Sequence, residues 1–452
     1  MAMTAVGQFS RPKLLAVLLV TYMVNYADRM TISVLGESIK RDLALSDAQV
    51  GMLGGTAFTI LYVLVSFPVG RLVERHRRAT IMWIAIGLWS TATVACGFAR
   101  NFTELALCRA AVGVGEGAFI PAVLSLLSDY FPPNRRASAY STIVLGLPLG
   151  GMIGAIVGGW VAARHGWHIA FMVIGAPGLL MALIVRQVVV EPQRGSSDSA
   201  APAGNVPTIA DVLRTLASKP AFLHLTLGGG LVQIVSYAIA LFLFPYLTRN
   251  FGVNYAQAGL AVGLLNGASL TIGILGGGLL SDHLGSRDVR WYGWTPAIAM
   301  LMTFPVYLAS LFQSSWLITT MLLFIPSAVA SAFAPTIAAT IQGLVPPTMR
   351  GTTAALNGAM SHVISLGLGS LLIGLVSDHF TRLSFAMATG GRDYAQCGTG
   401  SQPALATLCQ QSSGQGLRWS LMALSAFLLW GSIHFLIASR SLRRDYGHGA
   451  TQ

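Results

Sequence analysis

The sequence predicts an all-α membrane protein of about twelve transmembrane helices in two halves of six. Three observations carry this. The 452 residues are 54% hydrophobic and only 10% charged, whereas soluble domains are roughly 25% charged, so the chain is too poor in charge to cover a surface in water. Mean hydropathy is +0.65, and runs of about 20 apolar residues, the length that crosses a bilayer, recur along the whole chain. One long polar segment, Glu191 to Pro220, divides those runs six and six. Fifty glycines suit helices that pack closely in lipid.

In the first half the spans fall at about 13–35, 47–72, 79–99, 102–130, 136–163 and 167–189. In the second they fall at about 220–249, 254–283, 289–311, 315–345, 349–380 and 417–440. The domains are therefore 1–190, a linker 191–219, and 220–452. With the N-terminus in the cytoplasm, 18 of the 28 Lys and Arg residues lie on that side and 8 on the other, while Arg29 and Arg109 stay inside spans. This bias follows the positive-inside rule and places both termini in the cytoplasm. It also accounts for much of the net charge of +12 without a nucleic-acid partner. No small-residue cleavage site follows the first apolar run, so no cleaved signal peptide is expected.

Span 1 carries "NYADRM", with Asp28 and Arg29 adjacent in an apolar run. Span 2 closes with "GRLVERHRR", Gly70 to Arg78. Span 4 carries "LALCRAAVGVGEGAF", in which Arg109 and Glu116 are seven residues apart. That separation is nearly two helical turns, so both lie on one face, about 10 Å apart along the axis. Span 5 has Gly146, Gly150, Gly154 and Gly158 in one stripe, which reads as a seam for close helix packing. The first part of the linker is Gly/Ser/Ala/Pro-rich and reads as flexible. The second, "TIADVLRTLASK", reads as a short amphipathic helix at the membrane surface, with Thr208 as its N-cap. Span 8 closes with "GLLSDHLGSR", Gly278 to Arg287, at the position in the second half that matches "GRLVERHRR" in the first. A weaker echo, "GLVSDH", lies at Gly374 to His379. Matched halves are a mark of secondary transporters.

A charge at a helix centre costs about 2.5–3.5 kcal/mol on insertion scales, and such residues by default face a cavity and carry function. Asp28 and Glu116 are read as proton carriers. Arg29 or Arg109 would hold a substrate anion or act as counter-charge, with Asn25 and Tyr26 beside them. Adjacent helical residues point about 100° apart, so Asp28 and Arg29 need not share one site. In the loop motifs, Gly70, Glu74, Arg75, Arg78, Asp129 and Asp282 are read as a conformational latch. Arg75 would reach Asp129, Glu74 the start of span 11 near Arg350, and Asp282 the region of Ser138. In the second half Gln233, Tyr237, Tyr246, Asn266, Asn357 and His362 are the polar cavity candidates; of these, His362 is the residue type whose titration lies near neutrality. This half is poorer in buried charge, which would suit an amphiphile with a charged head and an apolar tail. Cys96 and Cys108 read as buried thiols. Cys397 and Cys409 share a long polar outer loop, Thr381 to Gly416, that a disulfide can close.

The chain resembles the major facilitator superfamily over nearly its whole length. The resemblance rests on the loop motif at Gly70, Glu74, Arg75, Arg77 and Arg78, on Arg109, Gly113 and Gly115 in span 4, and on "GLPLGGMIGAIVGGW" in span 5. His76 and Glu74 depart from the usual motif. Within the superfamily the sequence is most similar to the Spinster-type transporters, through "NYADR", "VGVGEGAF" and "GWHIAFMVIGAPGLL…EPQRG". That resemblance implies the major facilitator fold and proton-coupled or proton-gated symport or antiport of lysolipid-like or sphingoid-phosphate anions. The anion:cation symporters share the span 1 pattern and a span 4 Glu, so a proton symporter of small organic anions is the alternative. No nucleophile–base set, metal-ligand cluster or phosphate loop points to an enzyme. No metal and no cofactor are expected, only protons as coupling ion. The expected partners are the substrate and membrane lipids, and the expected form is a monomer in the plasma (inner) membrane.

Overall fold

A computed structural model describes residues 11–192, 207–397 and 402–446. Among these, side-chain caps from Ser46, Asn101 and Thr208 start three of the helices. The first is α1, Arg11–Asp42. After it, Ser46 and Gln49 form a capping box that starts α2, Asp47–Gly51. A π-helical turn at Met52–Thr56 leads into α3, Ala57–Arg75. Next come α4, Arg78–Cys96, and α5, Phe102–Tyr130, the latter capped by the Asn101 side chain. A short α6, Pro133–Val144, precedes α7, Gly146–Val188. This 43-residue helix holds two spans, separated at Gly166, whose φ of 79° is open to glycine and costly for other residues.

In the linker, α8 is Ile209–Ala217, and the Thr208–Asp211 capping box starts it. The flexible part expected before it lies outside the described residues. Prolines at the first turn open α9, Pro220–Phe251, and α15, Pro403–Asp445. Between them lie α10, Tyr255–Gly285; α11, Trp291–Leu311; α12, Trp316–Gly343; α13, Arg350–His362; and α14, Ser370–Thr389. A second π-helical turn, Val363–Gly369, joins the last two.

Ten of the described stretches are long and apolar enough to cross a membrane. They do not include α1, which carries Asp28 and Arg29 at its middle. With α1 added and Ser138–Val188 taken as two passes, the chain makes the twelve passes read from the sequence. The Thr381–Gly416 region is more helical than a polar loop: α14 runs to Thr389 and α15 begins at Pro403. Cys397 and Cys409 form a disulfide there, with Cα atoms 5.8 Å apart. Cys96 and Cys108 are free thiols.

The chain forms two compact units. The first holds Met1–Thr31 and Ala57–Ala203; the second holds Ile32–Thr56 and Gly204–Gln452. In the first unit the glycine stripe of α7 lies on α1. A Cβ on Gly150 would overlap the Met23 backbone, and one on Gly154 would lie 2.6 Å from the Ala27 Cα. The stripe therefore lets α1 be gripped one residue before Asp28.

Candidate transport site

Four ionic side chains meet in the first unit as two crossed pairs. Asp28 Oδ1 accepts from Arg109 Nη1 at 3.1 Å. Arg29 Nε donates to Glu116 Oε2 at 2.6 Å. Each pair joins α1 to α5. Arg29, whose direction a helical wheel leaves open, thus reaches the same cluster as Asp28. Asp28, Arg109 and Glu116 are each 1% exposed, so the cluster is nearly dry.

The glycines of α5 pack this helix closely against α3 and α4. A Cβ on Gly115 would lie 2.7 Å from the Trp89 nitrogen, and one on Gly117 would lie 2.6 Å from the Tyr62 oxygen. Glu116 sits between two positions where neighbouring backbones approach. Two α3 rings, Phe58 and Tyr62, and Tyr26 of α1 lie at the ions. The Arg29 guanidinium carbon lies 5.0, 5.1 and 5.3 Å from the ring centres of Tyr26, Phe58 and Tyr62. Such faces stabilise a desolvated cation. On the other side, the Thr93 hydroxyl donates to Asp28 Oδ2. Asn25 is buried one turn earlier on α1.

The cluster is incompletely satisfied. Glu116 Oε1 and Arg109 Nε are buried without a hydrogen-bond partner in the protein. So are Trp89 Nε1 and Ser90 Oγ on α4. An unpaired buried carboxylate oxygen costs roughly 1–3 kcal/mol or more, which a bound proton or ligand would relieve.

The model for the Major Facilitator Superfamily matches residues 18–370. This chain belongs to that superfamily. Within it the chain is a membrane transporter of the Spinster type. It is 30% identical over 378 residues to protein spinster homolog 1 of Xenopus tropicalis, covering 80% of this chain and 72% of that protein. It is also 30% identical over 423 residues to an MFS-type efflux pump of Mycolicibacterium smegmatis, covering 93% and 91%. Its structure is similar to the crystal structure of a bacterial homologue of the human lysosomal transporter Spinster in an inward-facing, unoccupied conformation. There the TM-score is 0.88 and the identity 28%, over 98% of this chain and 99% of that one.

In this Spinster-type transporter the remaining sequence candidates separate. The expected Arg75–Asp129 contact is not the one formed. Arg75, at the end of α3, is exposed. Arg78, at the start of α4, is buried and donates from Nη1 to Asp129 and from Nε to Glu191 Oε1 at 2.6 Å. Glu191 also accepts from the Ala79 N–H at 3.0 Å, capping α4. The chain breaks helix between Arg75 and Arg78, and the new helix start turns Arg78 inward. Gly70 has open space where a Cβ would lie. The side chains of Glu74 and Asp282 lie outside the described residues.

In the second unit, Gln233 and Asn357 line one open cavity, with Thr226, Ser361 and Phe333. Tyr237, Asn266 and His362 are not in that lining. His362 Nδ1 meets the Gly358 carbonyl at 2.8 Å, and Tyr246 donates to the Leu311 carbonyl at 3.2 Å.

A second ionic centre escaped sequence reasoning. Arg249 donates from Nε to Glu37 at 2.8 Å, and from Nη1 and Nη2 to the two Asp47 oxygens at 2.8 and 2.7 Å. Lys40 and Ser377 also donate to Asp47, each at 2.6 Å. Asp378 accepts the N–H groups of Asp47 and Ala48, both at 2.9 Å, and so caps α2. Its one trace in the sequence is the Asp of the "GLVSDH" echo, whose partners the local sequence does not give.

Proposed function

We propose that this Spinster-type transporter is proton-coupled or proton-gated and moves an amphipathic, lipid-like anion of the lysolipid or sphingoid-phosphate type by alternating access. The observation that carries the reading is the half-satisfied pairing of Arg29 with Glu116. The crossed pairs hold two acids and two guanidinium groups, so they balance. A proton on Glu116 would release Arg29 and leave one uncompensated positive charge in a dry interior. An uncompensated buried charge is strongly unfavourable, and an anionic head on Arg29 would restore balance. Proton uptake and anion binding then favour one another. The lipid-like part of the reading is supported by the resemblance and by the largely apolar lining around Gln233 and Asn357. The reading places the protein as a monomer in the plasma membrane with both termini cytoplasmic.

The test is transport in proteoliposomes across a panel of lysophospholipids, a sphingoid phosphate and a sugar acid, with and without a pH gradient. Transport of the amphiphiles that responds to the gradient supports the reading. Gradient-driven transport of the sugar acid alone would replace it with symport of small organic anions.

A further inference from the structure

Thr93 lies fully buried on α4 and has two oxygens within reach of one hydroxyl. Its Oγ meets Asp28 Oδ2 and, at 2.9 Å, the Trp89 carbonyl one turn earlier on its own helix. A hydroxyl has one hydrogen and two lone pairs, so it donates in one direction at a time. Arg109 already occupies Asp28 Oδ1, which leaves Oδ2 to Thr93.

Both protonation states of Asp28 fit this arrangement without movement of a heavy atom. With Asp28 ionised, the Thr93 hydroxyl donates to Oδ2. With Asp28 protonated on Oδ2, the carboxylic O–H donates to Thr93 Oγ. The Thr93 hydroxyl then turns to the Trp89 carbonyl, the back-bonded geometry that threonine adopts within helices. A valine of the same shape would do neither. The charged and titratable groups around this carboxyl are Arg109 and Glu116 on α5, Arg29 on its own helix and Cys96 on α4. On α3, Tyr62 faces Arg29. Of these, Arg109 is hydrogen-bonded to the carboxyl at Oδ1, and the hydroxyl that meets Oδ2 is that of Thr93.

We propose that Thr93 is a positioning residue for the proton on Asp28, reversing its hydrogen bond as that carboxyl loads and unloads. This rests on the reading of Asp28 as a proton carrier. The experiment is infrared difference spectroscopy of the purified full-length transporter as a function of pH, following the carboxylic C=O band that Asp28→Asn removes. Thr93→Val removes a donor from the carboxylate and an acceptor from the acid. Hydrogen bonds to charged groups are the stronger, so the midpoint of the band is expected to rise by about one pH unit. Thr93→Ser is expected to restore the wild-type midpoint. Thr93→Ala gives the same readout as Thr93→Val if the latter does not fold. An Asp28 band whose midpoint is the same in wild type and the hydroxyl-free variants overturns the role of Thr93 and leaves the proton site standing. Absence of any Asp28-dependent band over the accessible pH range overturns the proton site and the Thr93 role with it.

Discussion

The two ionic centres of this transporter are built from the same residue types and differ in how fully they are satisfied. At Arg249 one guanidinium makes three hydrogen bonds to two carboxylates, and Lys40, Ser377 and the Asp378 cap complete the set. At Asp28 and Glu116 each arginine makes one bond to its carboxylate, and Glu116 Oε1 and Arg109 Nε are left over. A complete network fixes one arrangement, whereas an incomplete one has capacity for a proton or a ligand. Satisfaction therefore separates the two centres better than burial, since both are buried.

The sharpest way to break this comparison is to remove one arginine from each centre. Arg249→Met strands Glu37 and Asp47 together, and a loss of about 3–5 kcal/mol is expected, read as the unfolding midpoint in detergent. Arg29→Met strands only Glu116, which a proton can neutralise, so a smaller loss of about 1–2 kcal/mol is expected. Equal losses would mean that the two centres do the same structural job. A middle-sized effect is expected at Arg78. Arg78→Gln separates Asp129 from Glu191 and takes a donor from the Ser125 carbonyl, and should cost about 2 kcal/mol given the partial exposure of Glu191. Arg75→Gln should change stability by less than about 0.5 kcal/mol. The same midpoint measurement decides between them.

A small effect confined to acid pH is expected at Asp288, between α10 and α11. Hydrogen bonds from Arg443 and from the Arg290 N–H pull its carboxyl down to about 2, from an ordinary value of 3.8. A depressed carboxyl contributes stability that is present above its unfolded value and is lost as pH falls through the folded one. The window is therefore about pH 4 to 2. Because the Arg443 side chain is 61% exposed, the contribution should be under about 1 kcal/mol. Asp288→Asn should remove that part of the acid sensitivity in a pH series of unfolding midpoints and leave neutral stability nearly unchanged.

Much of the first centre is readable from sequence because it violates a strong rule. Asp28, Arg109 and Glu116 stand out in apolar runs, and the seven-residue spacing puts the last two on one face. The partner of Arg29 is not readable, since helical spacing alone separates it from Asp28. It is the tertiary packing of α1 beside α5 that closes the distance. In "GRLVERHRR" four cations compete for Asp129, and only the helix break before Arg78 selects the winner. The Arg249 centre hides for the opposite reason. Lys40 and Arg249 sit near helix ends, where the positive-inside count treats them as ordinary flanking charge. Nothing in the local sequence says that residues 37, 47, 249 and 378 converge.

The most direct measurement is gradient-driven transport in proteoliposomes of the amphiphile that the wild type carries, compared with Asp28→Asn and Glu116→Gln. The wild type is expected to respond to an imposed pH gradient. Both variants are expected to fold and to lose that response, with Glu116→Gln also weakening binding of the anion through Arg29. Variants that keep the wild-type gradient dependence, or a wild type indifferent to the gradient, would contradict the assignment of the crossed pairs as the proton site.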